Sequence, residues 1–319
     1  MQKKIVPAVI ALLAATAFIV PAQAETLRIG NPQIQAFSFV PLQIGVKKGF
    51  FEKQGLQIEE IGLGGAGKQE QALISDSIDI ALGAGTDLAY VAKGVPAIGV
   101  AQMAGPPLML GVVVPYDSSA KSADDLKGKK IAVSTAGSLT EWFMLKLEQK
   151  QGWPKGTIKT VPMGGDWTGE TAAMLTGQID GFVTVSALGY KLAETKQGRT
   201  LLSTSEIVHD FIQHVIFAQN KLVEKNPDSI RRFLTGWFDT IDWMRANKEE
   251  AVQLTMLSTR FDHEVESQEF DLVMPMFSAD GKFQAAGLKT VEESFMDLKI
   301  LPSPPDMSKL YTEAYLPKR

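Results

Sequence analysis

The sequence contains no cysteine among its 319 residues, and this absence excludes disulfide bonds, thiolate metal sites and a lipid-modified N-terminal cysteine. Histidine is also scarce, with His209, His214 and His263 as its three examples. His209 and His214 are five residues apart in a strand-like region, where period-two geometry puts them on opposite faces, so they cannot share one metal ion. The sequence therefore predicts no metal site and no cofactor.

Motifs typical of hydrolases, metalloproteases and nucleotide-binding loops are missing as well. The chain has no G-x-S-x-G, no H-E-x-x-H and no nucleophile beside an evident base. The glycine-rich stretch Gly62–Gly67 precedes Lys68, but it lacks the G-x-x-x-x-G-K-[ST] arrangement of a phosphate-binding loop. We therefore expect a protein that is not an enzyme.

The N-terminus has the order of a secretory signal peptide. A basic start at Met1–Lys4 leads into an apolar run, Ile5–Val20, and then into the small-residue segment Ala22–Ala24. The apolar run is short for a membrane span of about 20 residues. We expect cleavage to remove residues 1–24 and to release a mature chain that begins at Glu25 in the periplasm.

An excess of acidic residues remains after this cleavage. The full chain has 32 basic and 36 acidic residues and a formal charge of −4, which becomes −6 when Lys3 and Lys4 are removed. Such a surface argues against nucleic acid as a partner. The mature chain is longer than one hydrophobic core usually supports, so we expect two lobes and a monomer.

Strands and helices alternate in two similar units. The first unit has strands at Leu27–Gly30, Gln57–Ile61 and Ile78–Leu82, with helices at Pro41–Lys53 and from Gly62–Gly67 to Ser75. The second has strands at Lys130–Val133, Ile158–Val161 and Gly181–Val185, with helices at Thr140–Gln151 and Gly169–Thr176. This alternation predicts an α/β fold with largely parallel sheets. After Asn220 the chain is mainly helical, and Asn226 and Pro227 begin a helix that runs to Ala246.

An internal repeat supports two related lobes, because residues 73–79 align without gaps with residues 174–180. The segments Val112–Ser118 and Thr204–Asp210 flank the second unit, and we interpret them as two crossings between the lobes. The predicted organisation is a signal peptide at 1–24, lobe one at 25–113 and 211–319, and lobe two at 114–210.

Five phrases spread over the mature chain carry a family resemblance. They are GFFEKQGLQIE (49–59), SIDIALGAGTDLAYVAKGVPAIGVAQM (77–103), SADDLKGKKIAVSTAGS (122–138), MLTGQIDGF (174–182) and NPDSIRRFLTGWFDTIDWMRANKEEAV (226–252). In this order they resemble the nitrate, sulfonate, taurine and thiamine-precursor substrate-binding proteins of ABC importers. The resemblance implies a type II periplasmic-binding fold whose two lobes close on a small molecule. It also implies an ABC permease and its ATPase as partners.

Candidate ligand contacts follow from the rule that open α/β sheets bind at the carboxyl ends of their strands. In lobe one, the loop after the first strand offers Phe37, Ser38 and Phe39. Gly85 and Thr86 follow the third strand, where glycine permits close backbone approach and a threonine hydroxyl lies beside free helix N–H groups. Thr86 contacts ligand or only caps its own helix; its position in the family favours ligand.

In lobe two, the loop Ser134–Thr140 is rich in hydroxyl groups just before a helix. Thr135, Gly137, Ser138 and Thr140 are the candidates there. A simple helix cap needs only one hydroxyl, so the surplus favours several hydrogen bonds to one anionic group.

Aromatic, acidic and imidazole side chains complete the candidate set. Trp167 and Asp166 lie in a predicted loop, and Trp142 lies in a first helical turn and is at least as consistent with the core. Asp166 pairs with a ligand amine or, as we favour, caps the next helix. His214 reaches the cleft or is a structural histidine, and Thr184 lies near the end of its strand. The phrase Val183–Tyr190 lacks the tryptophan and proline often found there in the family, which leaves the ligand open.

The resulting hypothesis is a periplasmic solute-binding component of an ABC importer. We expect its ligand to be a small organic anion or zwitterion, such as a sulfonate or taurine, or an aromatic carboxylate or pyrimidine that uses the aromatic residues. Nitrate is disfavoured because the predicted cleft loops hold few cations. One alternative is a periplasmic sensor subunit that presents the solute to a receptor. The other is an enzyme similar to the thiamine-pyrimidine synthases, which the resemblance links to a cysteine-rich motif that this chain lacks.

Overall fold

The computed structural model describes residues 24–318. The predicted signal peptide lies, except for Ala24, outside the described residues. Within 24–318, no helix combines the length and the apolar character that crossing a membrane requires.

Ten strands and twelve α-helices make up the described chain. The strands are β1 (Glu25–Asn31), β2 (Leu56–Gly62), β3 (Ile80–Ala84), β4 (Ala97–Ala104), β5 (Leu110–Pro115), β6 (Lys130–Val133), β7 (Lys159–Pro162), β8 (Gly181–Val185), β9 (Gly198–Ser203) and β10 (His214–Gln219). The helices are α1 (Val40–Lys47), α2 (Ala66–Ile74), α3 (Leu88–Ala92), α4 (Leu139–Lys150), α5 (Trp167–Leu175), α6 (Ser186–Glu194), α7 (Thr204–Ile207), α8 (Asn220–Lys225), α9 (Pro227–Ala246), α10 (Lys248–Thr259), α11 (His263–Val273) and α12 (Ala285–Asp297).

The strands form two five-stranded sheets with the same arrangement. The first has the order β2-β1-β3-β10-β4 and the second has the order β7-β6-β8-β5-β9. In each sheet three neighbouring strands are parallel, and the fourth, β10 or β5, runs antiparallel to them. The antiparallel strands are the first ones after the chain passes between the sheets: β5 follows the passage into the second sheet, and β10 follows the return to the first. Two chain segments therefore connect the lobes. The α/β fold with two lobes is confirmed.

The crossings between the sheets lie at residues 105–109 and 204–213. The sequence predicts the first crossing at Val112–Ser118, and this prediction is wrong because Val112 and Val113 pair with Val183 and Phe182 of β8. The second sheet therefore begins at Leu110, before the predicted boundary. The second predicted crossing, residues 204–210, falls within the observed one.

The internal repeat has one structural role in both sheets. The carboxylate of Asp79 accepts a hydrogen bond from the backbone N–H of Arg28 in β1 (2.8 Å), and Asp180 accepts one from the N–H of Lys130 in β6 (2.8 Å). Each aspartate thus ties the chain just before one strand, β3 or β8, to the neighbouring parallel strand, β1 or β6. The strand predicted from Ile78 consequently begins two residues later, after Asp79.

Helix α1 ends earlier than predicted because glycine reverses the chain. Gly49 adopts a φ of +73°, a left-handed conformation that favours glycine. The N–H of Phe50 then donates to the carbonyl of Gly45 (2.9 Å), which closes the helix at Lys47 instead of Lys53.

Helix α9 provides the main helical layer of the first lobe. It begins at Pro227, as predicted, and its ten buried residues face the core. The ring of Phe233 stacks on Phe51 with centroids 5.2 Å apart. Gly45 allows this approach, since a Cβ atom there would lie 2.5 Å from the ring of Phe51.

Candidate functional site

The strand ends of both sheets lie close to the two crossings. Strand β10 is antiparallel, so His214 at its start lies beside the end of β3. Just beyond β3, the N–H of Gly85 donates to the carbonyl of Gln213 in the second crossing (3.1 Å). In the second sheet, Ser186 directly after β8 donates from its N–H to the carbonyl of Met109 in the first crossing (2.9 Å). This edge is where open α/β sheets bind ligands.

A cavity with about 220 Å³ of unoccupied space lies at this edge. Both lobes and the C-terminal helices line it, through Gln35, Ala36, Phe37, Val185, Ala187, Thr259, Phe261, Glu266 and Glu269. A wider groove of about 670 Å³ follows α4 and the end of α12, and no residue of the two crossings or of the strand ends of the first sheet lines it. Because strand ends of both sheets, at Phe37 after β1 and at Val185 in β8, line the smaller cavity, we take it as the candidate site.

Two glutamates of α11 are the main electrostatic feature of the cavity. Glu266 and Glu269 are 0% and 1% exposed, and each has one carboxyl oxygen without a hydrogen-bond partner. The hydroxyl of Thr259 donates to the other oxygen of Glu266. Of the ion pairs found among residues 24–318, none includes either glutamate. Within these residues, neither carboxyl therefore has an ion-pair partner.

Burial shifts the protonation of both carboxyls. Burial raises the pKa of Glu269 to about 8, although the hydroxyl of Ser186 acts in the opposite direction, and the charge of Glu266 adds to the rise. Burial also raises the pKa of Glu266 to about 6, against the hydroxyl of Thr259. Removal from water disfavours the ionised form of a carboxyl, whereas a nearby positive charge stabilises it. A cation in the cavity would therefore keep both glutamates ionised.

His214 provides a hydrogen-bond acceptor at the same strand ends. Its Nδ1 lies 3.3 Å from the carbonyl oxygen of Gly83, and a carbonyl only accepts, so Nδ1 carries the proton. Its Nε2 is then an acceptor, and it is buried without a partner. Burial lowers the pKa of His214 to about 4, although the bond to Gly83 acts in the opposite direction. The imidazole is therefore neutral near pH 7.

Three further buried polar atoms at these strand ends have no hydrogen-bond partner. They are the hydroxyl oxygens of Ser38 and Thr184 and the amide oxygen of Gln213. Leaving a buried polar group unpaired costs about 1–3 kcal/mol. Ser38 and Thr184 directly follow and precede the cavity residues Phe37 and Val185 in the chain. Unpaired groups gathered at one edge in this way are typical of a site that a bound molecule completes.

The aromatic candidates divide between the site and the core. Phe37 lines the cavity, and its ring lies edge-on to Phe270 at 6.1 Å. Phe39 is buried against the imidazole of His214, with ring centroids 4.9 Å apart. Trp167 of lobe two faces the cavity residue Phe261 at 6.1 Å, so this pair bridges the lobes at the cavity margin.

Other predicted residues have local structural partners. Trp142 is fully buried and donates from Nε1 to Asp297 (3.0 Å), in agreement with the core interpretation. Asp166 caps α5 by accepting from the N–H of Thr168 (3.1 Å). The missing Cβ of Gly85 faces the backbone carbonyl oxygen of Ile212 at 2.0 Å, so this glycine is required by the second crossing. Thr86 lies half-buried beside it.

The hydroxyl-rich loop of lobe two is not among the cavity residues. The hydroxyl of Thr140 accepts from the N–H of Ser134 (2.9 Å) and lies 2.9 Å from the hydroxyl of Ser138, which caps α4. Thr135 is exposed, and the N–H of Gly137 donates to Glu141 (2.6 Å). The surplus hydroxyls thus bond one another, and Gly137 lines the groove along α4 instead.

Sequence reasoning missed the acidic wall of the site. Glu266, Glu269 and Phe261 come from the C-terminal helical region, which the rule of strand ends does not cover. Their one signal is the i, i+3 spacing of the two glutamates beside the apolar Val265 and Phe270, which places them on one buried helix face.

The lobes also contact each other outside the cavity. Lys191 of α6 forms an ion pair with Asp262 (2.6 Å) at the start of α11. On the other side, Asp297 of α12 accepts from Trp142 and forms an ion pair with Lys146 (3.4 Å). The C-terminal helices therefore contact lobe two at two separate places. In residues 24–318 no group of three or more acidic or histidine side chains could hold a metal ion.

Comparison with known proteins identifies a family model and two relatives that match this chain. A family model described as NMT1/THI5 like matches residues 36–251. A Haemophilus influenzae protein assigned to thiamine biosynthesis is 26% identical over 66% of this chain and 66% of its own length. A Bacillus subtilis protein assigned to aliphatic sulfonate binding is 24% identical over 73% of this chain and 69% of its own length. The chain thus spans about two thirds of these relatives.

Solved structures agree on the fold. The periplasmic aliphatic sulphonate binding protein SsuA of Escherichia coli superimposes with a TM-score of 0.76 at 19% identity. The match covers 90% of this chain and 92% of that protein. The described residues therefore have the fold of a periplasmic binding protein.

Proposed function

Because the chain belongs to the NMT1/THI5-like family, we propose that it is the solute-binding component of an ABC importer and works in the periplasm. The observation that carries this proposal is the cavity at the strand ends, which both lobes line and which holds buried polar atoms without partners. The role is capture and delivery, without chemistry on the solute.

The double crossing supports a clamp. Two connections, residues 105–109 and 204–213, join the sheets, and two connections between α/β lobes form a hinge. A solute that contacts both lobes binds the closed arrangement more tightly and shifts the balance toward it. The permease and its ATPase would then recognise the closed lobes.

The size and the lining of the cavity limit the classes of solute that we predict. Its space of about 220 Å³ limits the predicted solutes to small molecules. Near neutral pH a purely anionic sulfonate or carboxylate would meet the like charge of Glu266 and, at higher pH, that of Glu269 as well. A zwitterion or a pyrimidine offers N–H groups to both carboxyls. Phe37 and Phe261 provide apolar faces for a ring or an alkyl chain.

A thermal-shift screen of the mature protein tests the proposal. Sulfonates, taurine, aromatic carboxylates, pyrimidines, amines and amino acids would be added separately. A solute at one hundred times its dissociation constant stabilises a protein by about 2.7 kcal/mol, which we expect as a rise of several degrees in Tm.

A matched pair of variants locates the binding. Ala187→Leu places a larger side chain in the cavity wall, and Ala286→Leu makes the same change on the exposed face of α12. We expect the first variant to lose the response and the second to retain it. Tm values that no solute class changes, or an equal response in both variants, would contradict the proposal.

A further inference from the structure

The buried polar atoms without partners are mostly acceptors. Glu266 and Glu269 each contribute one carboxyl oxygen, Gln213 contributes its amide oxygen and His214 contributes Nε2. A hydroxyl, as on Ser38 or Thr184, both donates and accepts. At these strand ends the unpaired side-chain atoms are thus two carboxyl oxygens, an amide oxygen, a neutral imidazole nitrogen and two hydroxyls, and none belongs to a cationic group that would bind an anion.

No protein cation within the described residues compensates for the two carboxyls. One ion pair between the lobes uses Lys191, whose ammonium group is already bonded to Asp262 and Glu194. Unpaired buried carboxylates are strongly disfavoured, and a ligand with a positive charge removes this penalty.

We propose that the cavity selects a small organic solute with a protonated nitrogen, an ammonium or amidinium group, which Glu266 and Glu269 bind. This inference rests on the solute-binding function proposed above and names the chemical class of its ligand. The remainder of the solute packs against Phe37 and Phe261, which line the same cavity. Aromatic faces also attract a cation, so both parts of the lining favour the same class.

The experiment compares ring compounds that differ in one group. Benzylamine and benzamidine carry the protonated nitrogen, whereas benzyl alcohol, benzoate and benzenesulfonate have a similar size without it. Isothermal titration calorimetry at pH 8 would measure the dissociation constant of each probe with the mature protein. We expect the two cationic probes to bind at least tenfold more tightly than the other three.

Two variants test whether the carboxyls of Glu266 and Glu269 cause the preference for cationic probes. Glu266→Gln and Glu269→Gln keep the side-chain shape but remove the charge. Each should weaken binding of the cationic probes by roughly 10- to 100-fold, the range for a lost charge-assisted hydrogen bond. Glu264→Gln is the matched control, because Glu264 lies on the exposed side of the same helix. Circular dichroism would confirm that all three variants fold.

The results of these experiments can reject the preference for a cationic solute without rejecting the solute-binding function. Failure of both cationic probes to bind would reject the inference, as would equal binding of benzoate or benzenesulfonate. Unchanged affinity for the cationic probes in both cavity variants would reject it too. In each case a response to another solute in the broad screen would leave the solute-binding function standing.

Discussion

Replacement of Glu269 by glutamine should stabilise the ligand-free protein at alkaline pH. The folded protein holds the pKa of this carboxyl at about 8, against an ordinary value of 4.5. Between these values the folded state binds more protons than the unfolded state, so the stability of the wild type falls as pH rises. One pKa unit corresponds to about 1.36 kcal/mol, so the destabilisation above pH 8 is on the order of 3–5 kcal/mol.

Thermal unfolding at pH 4, 6, 8 and 9 measures this effect. Glutamine resembles the protonated glutamate, so Glu269→Gln and the wild type should have similar Tm values at pH 4. At pH 9 the variant should unfold several degrees higher, at roughly 2–4 °C per kcal/mol. Asp87, Glu170 and Glu266 also have a raised pKa, with burial as the main cause, and contribute to the slope of both proteins. The difference between the two proteins therefore isolates Glu269.

The control for this measurement is Glu264→Gln, which changes an exposed residue of the same helix and should follow the wild type at every pH. A variant less stable than the wild type at pH 9 would refute the reasoning. A Tm difference that is the same at pH 4 and pH 9 would do so as well, since it would show that no protonation of Glu269 is involved.

Two further substitutions test the crossing and the contact between lobes. Gly85→Ala places a Cβ atom 2.0 Å from the carbonyl oxygen of Ile212 and should lower the free energy of unfolding by about 1–3 kcal/mol; Gly67→Ala, with nothing within 4 Å, should be neutral or stabilising in the same urea titration. Lys191→Met removes the exposed ion pair with Asp262 and should weaken solute binding no more than a few-fold in calorimetry, because solvent screens such pairs. A hundredfold loss would show that this pair, and not the cavity, holds the lobes together.

The sequence predicts strands and helices correctly where the residues of the element itself determine its bounds. The strands β6 and β8 and the helix α9 have the predicted bounds, because short apolar runs specify the two strands and an Asn-Pro start specifies the helix. The first crossing could not be found in this way. Strand β5 belongs to the second sheet only because it pairs with β8 and β9, which lie about 70 to 90 residues further along the chain.

Prediction of the site residues is also limited to what the local sequence determines. Rules for strand ends lead to Phe37, Ser38 and His214, all of which the structure places at one edge of the first sheet. They also lead to the loop Ser134–Thr140, where the hydroxyl groups bond one another. Spacing cannot distinguish a loop whose hydroxyls bond each other from one that leaves them free. That distinction depends on side-chain geometry.

The carboxyls that destabilise the ligand-free protein are the ones that a cationic solute would stabilise. Glu269 faces Glu266, Ser186 and Tyr190, and none of these is a cation. A bound ammonium would lower the pKa of Glu269, so binding near neutral pH releases a proton. Affinity should then rise with pH, by up to about tenfold per unit below pH 8. Calorimetry at pH 6, 7 and 8 measures this rise for benzylamine, and Glu269→Gln should remove most of it. An affinity that is constant over this range would show that Glu269 does not ionise on binding, and that the solute's nitrogen lies elsewhere.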